Sequence, residues 1–200
     1  VLTNNGKFLS SNYTLYGDMS SRVMNVLSMF SPDMEVYSID EAFLYLPEIE
    51  SPYELAEKIR TTVRQWTGIP VSVGISTTKV LAKTANRTAK KNPKHNGVFV
   101  MLDDEKIKSV LASFSVADIW GVGDAYSRKL MSYGIMTALD LSLMDDKWIK
   151  KEMTIVGLRI VHELRGISCI PLEMVAADKK NICSSRSFGV PVTTLKDMKE

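Results

Sequence analysis

Two adjacent carboxylates, Asp40 and Glu41, stand inside an otherwise apolar, β-forming run over residues 36–46. Side chains along a strand alternate between faces, so both carboxylates reach one site only at a bend, a bulge or the turn of a tight hairpin. Burying two such groups in an apolar layer is costly unless a positive partner offsets them. The run therefore predicts a hairpin bent at Asp40 and Glu41, with a cation close by. Hard oxygen donors brought together in this way suit Mg²⁺, and two such ions about 4 Å apart activate an attacking hydroxyl while steadying a phosphoryl leaving group. The plainer reading of the same dipeptide has Asp40 capping a turn and Glu41 facing water.

The net charge of +2 hides a division along the chain. Residues 1–78 hold 5 basic and 9 acidic side chains, residues 79–96 hold 6 basic and no acidic ones, and residues 97–200 hold 14 of each. In the basic stretch Lys79, Lys83, Arg87, Lys90 and Lys94 recur every three or four positions; the first four fall on one stripe of a helix over residues 77–91 that Asn92 and Pro93 end, which leaves Lys94 in the following loop. Ala82, Ala85 and Ala89, with Val80 and Leu81, supply the inner face, so the cations are expected to point outward, where a phosphate chain could lie. A solvated face is the alternative, although ordinary surface helices mix both signs.

Around this stripe the pattern alternates. Helical periods over 12–30 and 51–66 flank the apolar run, and strands are expected over 70–75 and 98–102. Ser51, Pro52 and Glu54 carry the signature of a capping box. Beyond residue 102 the strands stop, and short helices over 105–114, 124–133, 137–144 and 155–164 follow, with Gly134 and Gly166 as C-terminal caps. The expected fold class is α+β: helices on a mixed or antiparallel sheet, then a small all-helical unit. Residues 167–180 read as a tether, and 182–192 as the beginning of a strand.

Between two of the later helices lies Ile119-Trp120-Gly121-Val122-Gly123-Asp124, followed by Arg128 and Lys129. Two glycines at a helix entrance let the backbone turn tightly and present N–H groups to a phosphate, as helix-hairpin-helix DNA binders do. A simple turn between packed helices is the alternative. Cys169 and Cys183 show no metal-ligand spacing and are read as reduced, packed thiols. No apolar stretch reaches the ~20 residues of a membrane span, which makes a cytoplasmic location and no membrane partner the expectation.

The segment Tyr37-Ser38-Ile39-Asp40-Glu41-Ala42-Phe43 resembles the palm motif of Y-family translesion DNA polymerases. Upstream, Ser10 to Tyr13, Leu15-Tyr16, Asp18 to Ser20 and Arg22 to Met24 resemble the UmuC type of that family. Downstream the likeness continues in order through Val73-Gly74-Ile75, Lys79, Leu81 to Lys83, Ala85-Asn86, Ala89 to Lys91, Ile119 to Gly123, Lys129-Leu130, Gly134-Ile135, Leu139 to Leu141, Glu163 to Gly166 and Ser185 to Gly189.

The resemblance implies a palm over residues 1–102, a helical thumb with a helix-hairpin-helix over 103–166, and a tether with the start of a little finger over 167–200. It implies Asp40 and Glu41 as catalytic Mg²⁺ ligands and Lys90 as a contact to the triphosphate of an incoming deoxynucleotide. Lys79, Lys83, Gly121, Val122, Gly123, Lys129 and Arg186 are the implied contacts to primer-template DNA. A sliding clamp and UmuD-type and RecA-type regulators are the implied partners of the complete protein. A first strand with a third metal-binding aspartate, most of the fingers and most of the little finger would lie outside this chain, which alone is then expected to be inactive. The rivals are a noncatalytic helix-hairpin-helix DNA-binding module and a metal-dependent nuclease.

Overall fold

The computed structural model describes residues 6, 9–47, 49–174, 181–185, 189, 191–196 and 198. It opens with helix α1 (Tyr13–Leu27), whose first turn is closed by the Asn12 side chain accepting from the Leu15 amide at 3.0 Å. Strands β1 (Met34–Val36) and β2 (Ala42–Leu44) form an antiparallel hairpin in which Glu35 opposes Phe43. Helix α2 (Pro52–Thr67) follows and ends at Gly68. Its Ile59 and Val63 pack against Val23 and Val26 of α1. The expected capping box is not made, since the Ser51 side chain makes no capping bond, and Pro52 at the first helical position already removes one amide in need of a partner.

Strands β3 (Val73–Ser76) and β4 (Val98–Met101) run parallel, with helix α3 (Lys79–Lys91) as the crossover between them. Gly74 decides how closely α3 sits on β3, because a Cβ there would lie 2.1 Å from the Asn86 amide nitrogen and 2.7 Å from the Ala82 carbonyl oxygen. Among the described residues the strands thus form two separate pairs, one antiparallel and one parallel, where a single mixed or antiparallel layer was expected. The α+β class itself stands.

Helices α4 (Asp104–Ser113), α5 (Asp124–Ser132), α6 (Ala138–Ser142) and α7 (Asp146–Leu164) complete the described α-helices. Gly134 and Gly166 each take positive φ just past a helix, as expected of C-terminal caps. The last helix starts nine residues earlier than its sequence period suggests and is broken at Thr154 (φ 67°, ψ −173°). In the early half only Ile149 and Met153, one turn apart, are fully buried apolar positions, too short a pattern to register as a period.

The largest hydrophobic cluster joins Val80, Leu81, Ala85 and Ala89 of α3 and Phe99 and Met101 of β4 to buried residues of all four later helices. Glu163, fully buried near the end of α7, ties this assembly together. Its carboxylate accepts from the amides of Val80 (3.2 Å), Cys169 (2.8 Å) and Ile170 (2.9 Å), and its carbonyl accepts from the Thr78 hydroxyl at 2.9 Å. Cys169 is partly covered, whereas Cys183, expected to be packed, is exposed. No strand occurs among the described residues of 182–192. No helix among the described residues is long and apolar enough to cross a membrane.

Candidate functional site

The β1–β2 turn places Asp40 and Glu41 at the bend the sequence called for. Tyr37 and Ser38 both donate their amides to the Glu41 carbonyl, at 3.0 and 3.1 Å, and this double closure fixes the backbone from which the Glu41 side chain projects. Asp40 is exposed and accepts from the Ser38 hydroxyl at 2.7 Å. Glu41 meets the expected positive partner, the Lys83 ammonium on α3, at 2.6 Å. Two oxygen-donor groups on a fixed turn, reachable by water, are the right chemistry for a hard divalent cation that completes its coordination with water or phosphate oxygens.

The α3 stripe is correctly placed on one side of a helix, but its cations do not all point into solvent. Lys79 has a side chain only 10% exposed and pairs at 2.6 Å with Glu35, itself 7% exposed. The ammonium lies 4.7 Å from the centre of the Phe43 ring and donates to the Pro171 carbonyl at 3.3 Å, while the same Glu35 oxygen accepts from the Glu173 amide at 2.8 Å. Lys83 is held by Glu41, and Arg87 and Lys91 both pair with Asp118, just before the Trp120 turn. The hydrogen bond from the Lys91 ammonium is the main cause holding the Asp118 carboxyl below its ordinary value of 3.8; burial opposes it, and the charge of Arg87 adds to the lowering. The outward-facing stripe is therefore corrected: acids from other elements neutralise most of it, and Lys79 is largely covered. Lys90 is exposed and has no ion-pair partner among the described residues.

The Gly121–Gly123 turn sits between a single 3₁₀ turn (Val116–Asp118) and α5. Gly121 has φ +90°, and a Cβ there would lie 2.6 Å from Ile160 Cδ1 on α7. Gly123 is exposed, is the N-cap of α5, and has open space where a Cβ would be. Val122 points inward, its side chain buried in the main core, so the surface of the turn is backbone. Lys129 is held by Glu152, donating to its carboxylate at 2.9 Å and its carbonyl at 3.0 Å, which raises the lysine's affinity for its proton and lowers that of Glu152. Arg186 lies outside the described residues.

These pieces meet through an aromatic cluster. The Trp120 ring packs 5.5 Å from Tyr37 and 5.7 Å from Phe43, centre to centre, and its indole N–H donates to the Tyr37 hydroxyl at 3.2 Å. The carboxylate-bearing hairpin, the basic helix and the glycine turn thus share one surface region. Glu35 and Glu163 escaped sequence reasoning, yet both carried a signal. Glu35 alternates with its apolar neighbours and opposes Phe43, and Glu163 falls three residues after Ile160 on the inner face of its helix.

Comparison with known proteins gives this arrangement its kinship. Residues 1–87 match the model of the impB/mucB/samB family. Over 195 residues the chain is 45% identical to protein UmuC of Salmonella typhimurium, covering 96% of this chain and 46% of that protein. Its fold is similar to that of DinB from Sulfolobus solfataricus (TM-score 0.69, 26% identity, 86% of this chain and 50% of that one). It is equally similar to Dbh DNA polymerase in an insertion ternary complex (TM-score 0.70, 26% identity, 84% and 49%). The chain spans about half the length of the curated relatives it matches. Residues 1–87 thus carry the match to the impB/mucB/samB family, and almost the whole length of the chain is similar to part of UmuC.

Proposed function

We propose that this chain is part of a translesion DNA polymerase that adds deoxynucleotides to a primer 3′-hydroxyl opposite damaged template. The observation that carries the reading is the β1–β2 turn, which presents Asp40 and Glu41 beside α3 in a chain related to UmuC. Residues 1–102 would form part of the palm, 103–166 a thumb whose Gly121–Gly123 turn acts as a helix-hairpin-helix, and 167–200 a tether leading into a little finger.

In this reading Asp40 and Glu41 hold Mg²⁺, which when bound supplies positive charge at the reacting phosphate. The chain's own contribution is placement. The turn closed on the Glu41 carbonyl keeps the two carboxylates in register with α3. Lys90, about 10 Å along the helix from Lys83 at 1.5 Å rise per residue, is free to meet a triphosphate. The backbone of Gly121 and Gly123 can approach a DNA phosphate closely because no side chain stands between them. Lys129 would contribute its charge only by leaving Glu152, and Lys79 serves as an internal brace and not as a DNA contact. The clamp and the UmuD-type and RecA-type regulators remain proposed partners of the complete protein.

The test is primer extension past an abasic site by the complete protein. Extension that Asp40→Ala abolishes, with primer-template affinity retained, supports the reading. DNA binding with no extension under any metal condition would favour the noncatalytic module. With two carboxylates supplying few of the six or so oxygens that Mg²⁺ takes, the chain of 200 residues alone is expected not to extend a primer.

A further inference from the structure

We infer that Lys83 is an internal counter-ion for Glu41, holding the carboxylate until a divalent cation displaces it, and thereby setting how tightly that cation binds. The inference rests on the reading of Asp40 and Glu41 as cation ligands. It adds a residue that opposes occupancy of that site.

The geometry leaves little room for sharing. Lys83 Nζ lies 2.6 Å from Glu41 Oε1, in the space a cation bound to that oxygen would take, and two cations at one carboxylate oxygen repel each other. Neither backbone can yield easily. The hairpin turn is closed by the two amide bonds onto the Glu41 carbonyl, and the neighbours of Lys83 on α3, Leu81, Thr84 and Ala85, are buried to within 2% of full coverage. What can move is the lysine side chain, a flexible four-carbon stem with a single compact charge. It has somewhere to go, because the ammonium already lies 5.7 Å from the centre of the Tyr37 ring, within range of a cation–π contact. Asp40 is held by an uncharged donor, the Ser38 hydroxyl, so the electrostatic competition falls on Glu41.

The experiment measures Mn²⁺ binding to the complete protein by the loss of the free-ion electron paramagnetic resonance signal, in wild type, Lys83→Met, Lys83→Arg and Asp40→Asn. Methionine keeps an unbranched apolar stem against Tyr37 and removes the charge. Lys83→Met is expected to bind Mn²⁺ about two- to fivefold more tightly, in keeping with the modest strength of a partly exposed ion pair. Lys83→Arg should stay near wild type, and Asp40→Asn should bind more weakly. In wild type, acetylation of Lys83 by acetic anhydride should become faster as Mn²⁺ is added. If Lys83→Met binds no more tightly than wild type while Asp40→Asn binds more weakly, the counter-ion role is overturned and the cation site stands. If Asp40→Asn leaves Mn²⁺ binding unchanged, or no variant binds the ion, the site reading falls and the inference with it. A Lys83 acetylation rate indifferent to Mn²⁺ likewise overturns displacement.

Discussion

The indole N–H of Trp120 donates to the hydroxyl of Tyr37 across 83 residues of sequence, at 3.2 Å, and their rings meet edge to face. One residue belongs to the glycine turn and the other to the carboxylate hairpin, so this contact sets the spacing between the two. A double-mutant cycle of Trp120→Phe and Tyr37→Phe should show a coupling of about 0.5–1.5 kcal/mol in urea unfolding. Additive effects would mean that the two side chains are neighbours without being partners.

The two glycines of the turn should part company under substitution. Gly121→Ala combines an unfavourable φ of +90° with a clash against Ile160 and should cost about 1–3 kcal/mol of stability. Gly123→Ala meets open space, so its loss should stay below about 1 kcal/mol, the price of a poorer N-cap. Weaker binding of Gly123→Ala to duplex DNA of any sequence, at matched salt, would report the proposed backbone contact free of a folding defect. Unchanged affinity would remove the turn from the DNA interface.

Glu163→Gln replaces an acceptor of three backbone amides with a group that carries its own N–H donors. At least one of Val80, Cys169 and Ile170 should lose its partner inside a fully buried site, lowering stability by about 2–4 kcal/mol. Urea midpoints of variant and wild type decide this, and a loss under about 0.5 kcal/mol would show that the tie is dispensable.

Asp118 makes a contribution whose pH range can be stated. Its folded value lies below 3.8, because Lys91 and Arg87 favour the charged form. A depressed folded value stabilises the protein above the unfolded value, and that stability is lost as pH falls through the folded one. The stability difference between wild type and Asp118→Asn should therefore be constant above about pH 5 and shrink as the pH drops below the ordinary carboxylate value. A difference that persists unchanged in acid would show that the pair contributes nothing electrostatic.

Lys90→Ala in the complete protein should raise the deoxynucleotide concentration needed for half-maximal turnover by about tenfold, the effect of one lost charge-assisted phosphate contact, and leave primer-template affinity nearly unchanged. Equal nucleotide dependence in both proteins would take Lys90 out of the proposed site.

How far the sequence could be read depended on the range of the interaction. The hairpin bend at Asp40 and Glu41 was legible because strand alternation is a local rule, and the need for a nearby cation followed from the cost of setting two carboxylates in an apolar run. That the cation is Lys83, 42 residues away, did not follow. Counting charge within residues 79–96 found no acid because the neutralising acids sit elsewhere in the chain: Glu35, Glu41 and Asp118 reach α3 only once the chain is folded. The same holds for Trp120, whose motif was plain and whose partner was not. The helical half before Thr154 was missed for a different reason, since its two buried apolar residues span a single turn.

Helix α3 also shapes the route by which the chain acquires its structure. Its contacts with β3 and β4 join residues near in sequence, whereas its contact with Glu163 spans 83 positions. Loop closure makes the near contacts fast and the distant ones slow. The β3–α3–β4 unit is thus expected to assemble first, with the face of Val80, Leu81, Ala85 and Ala89 still awaiting its cover. During that interval a newly made chain exposes an apolar stripe beside a row of cations not yet neutralised, a transient species open to aggregation until the later helices cover it.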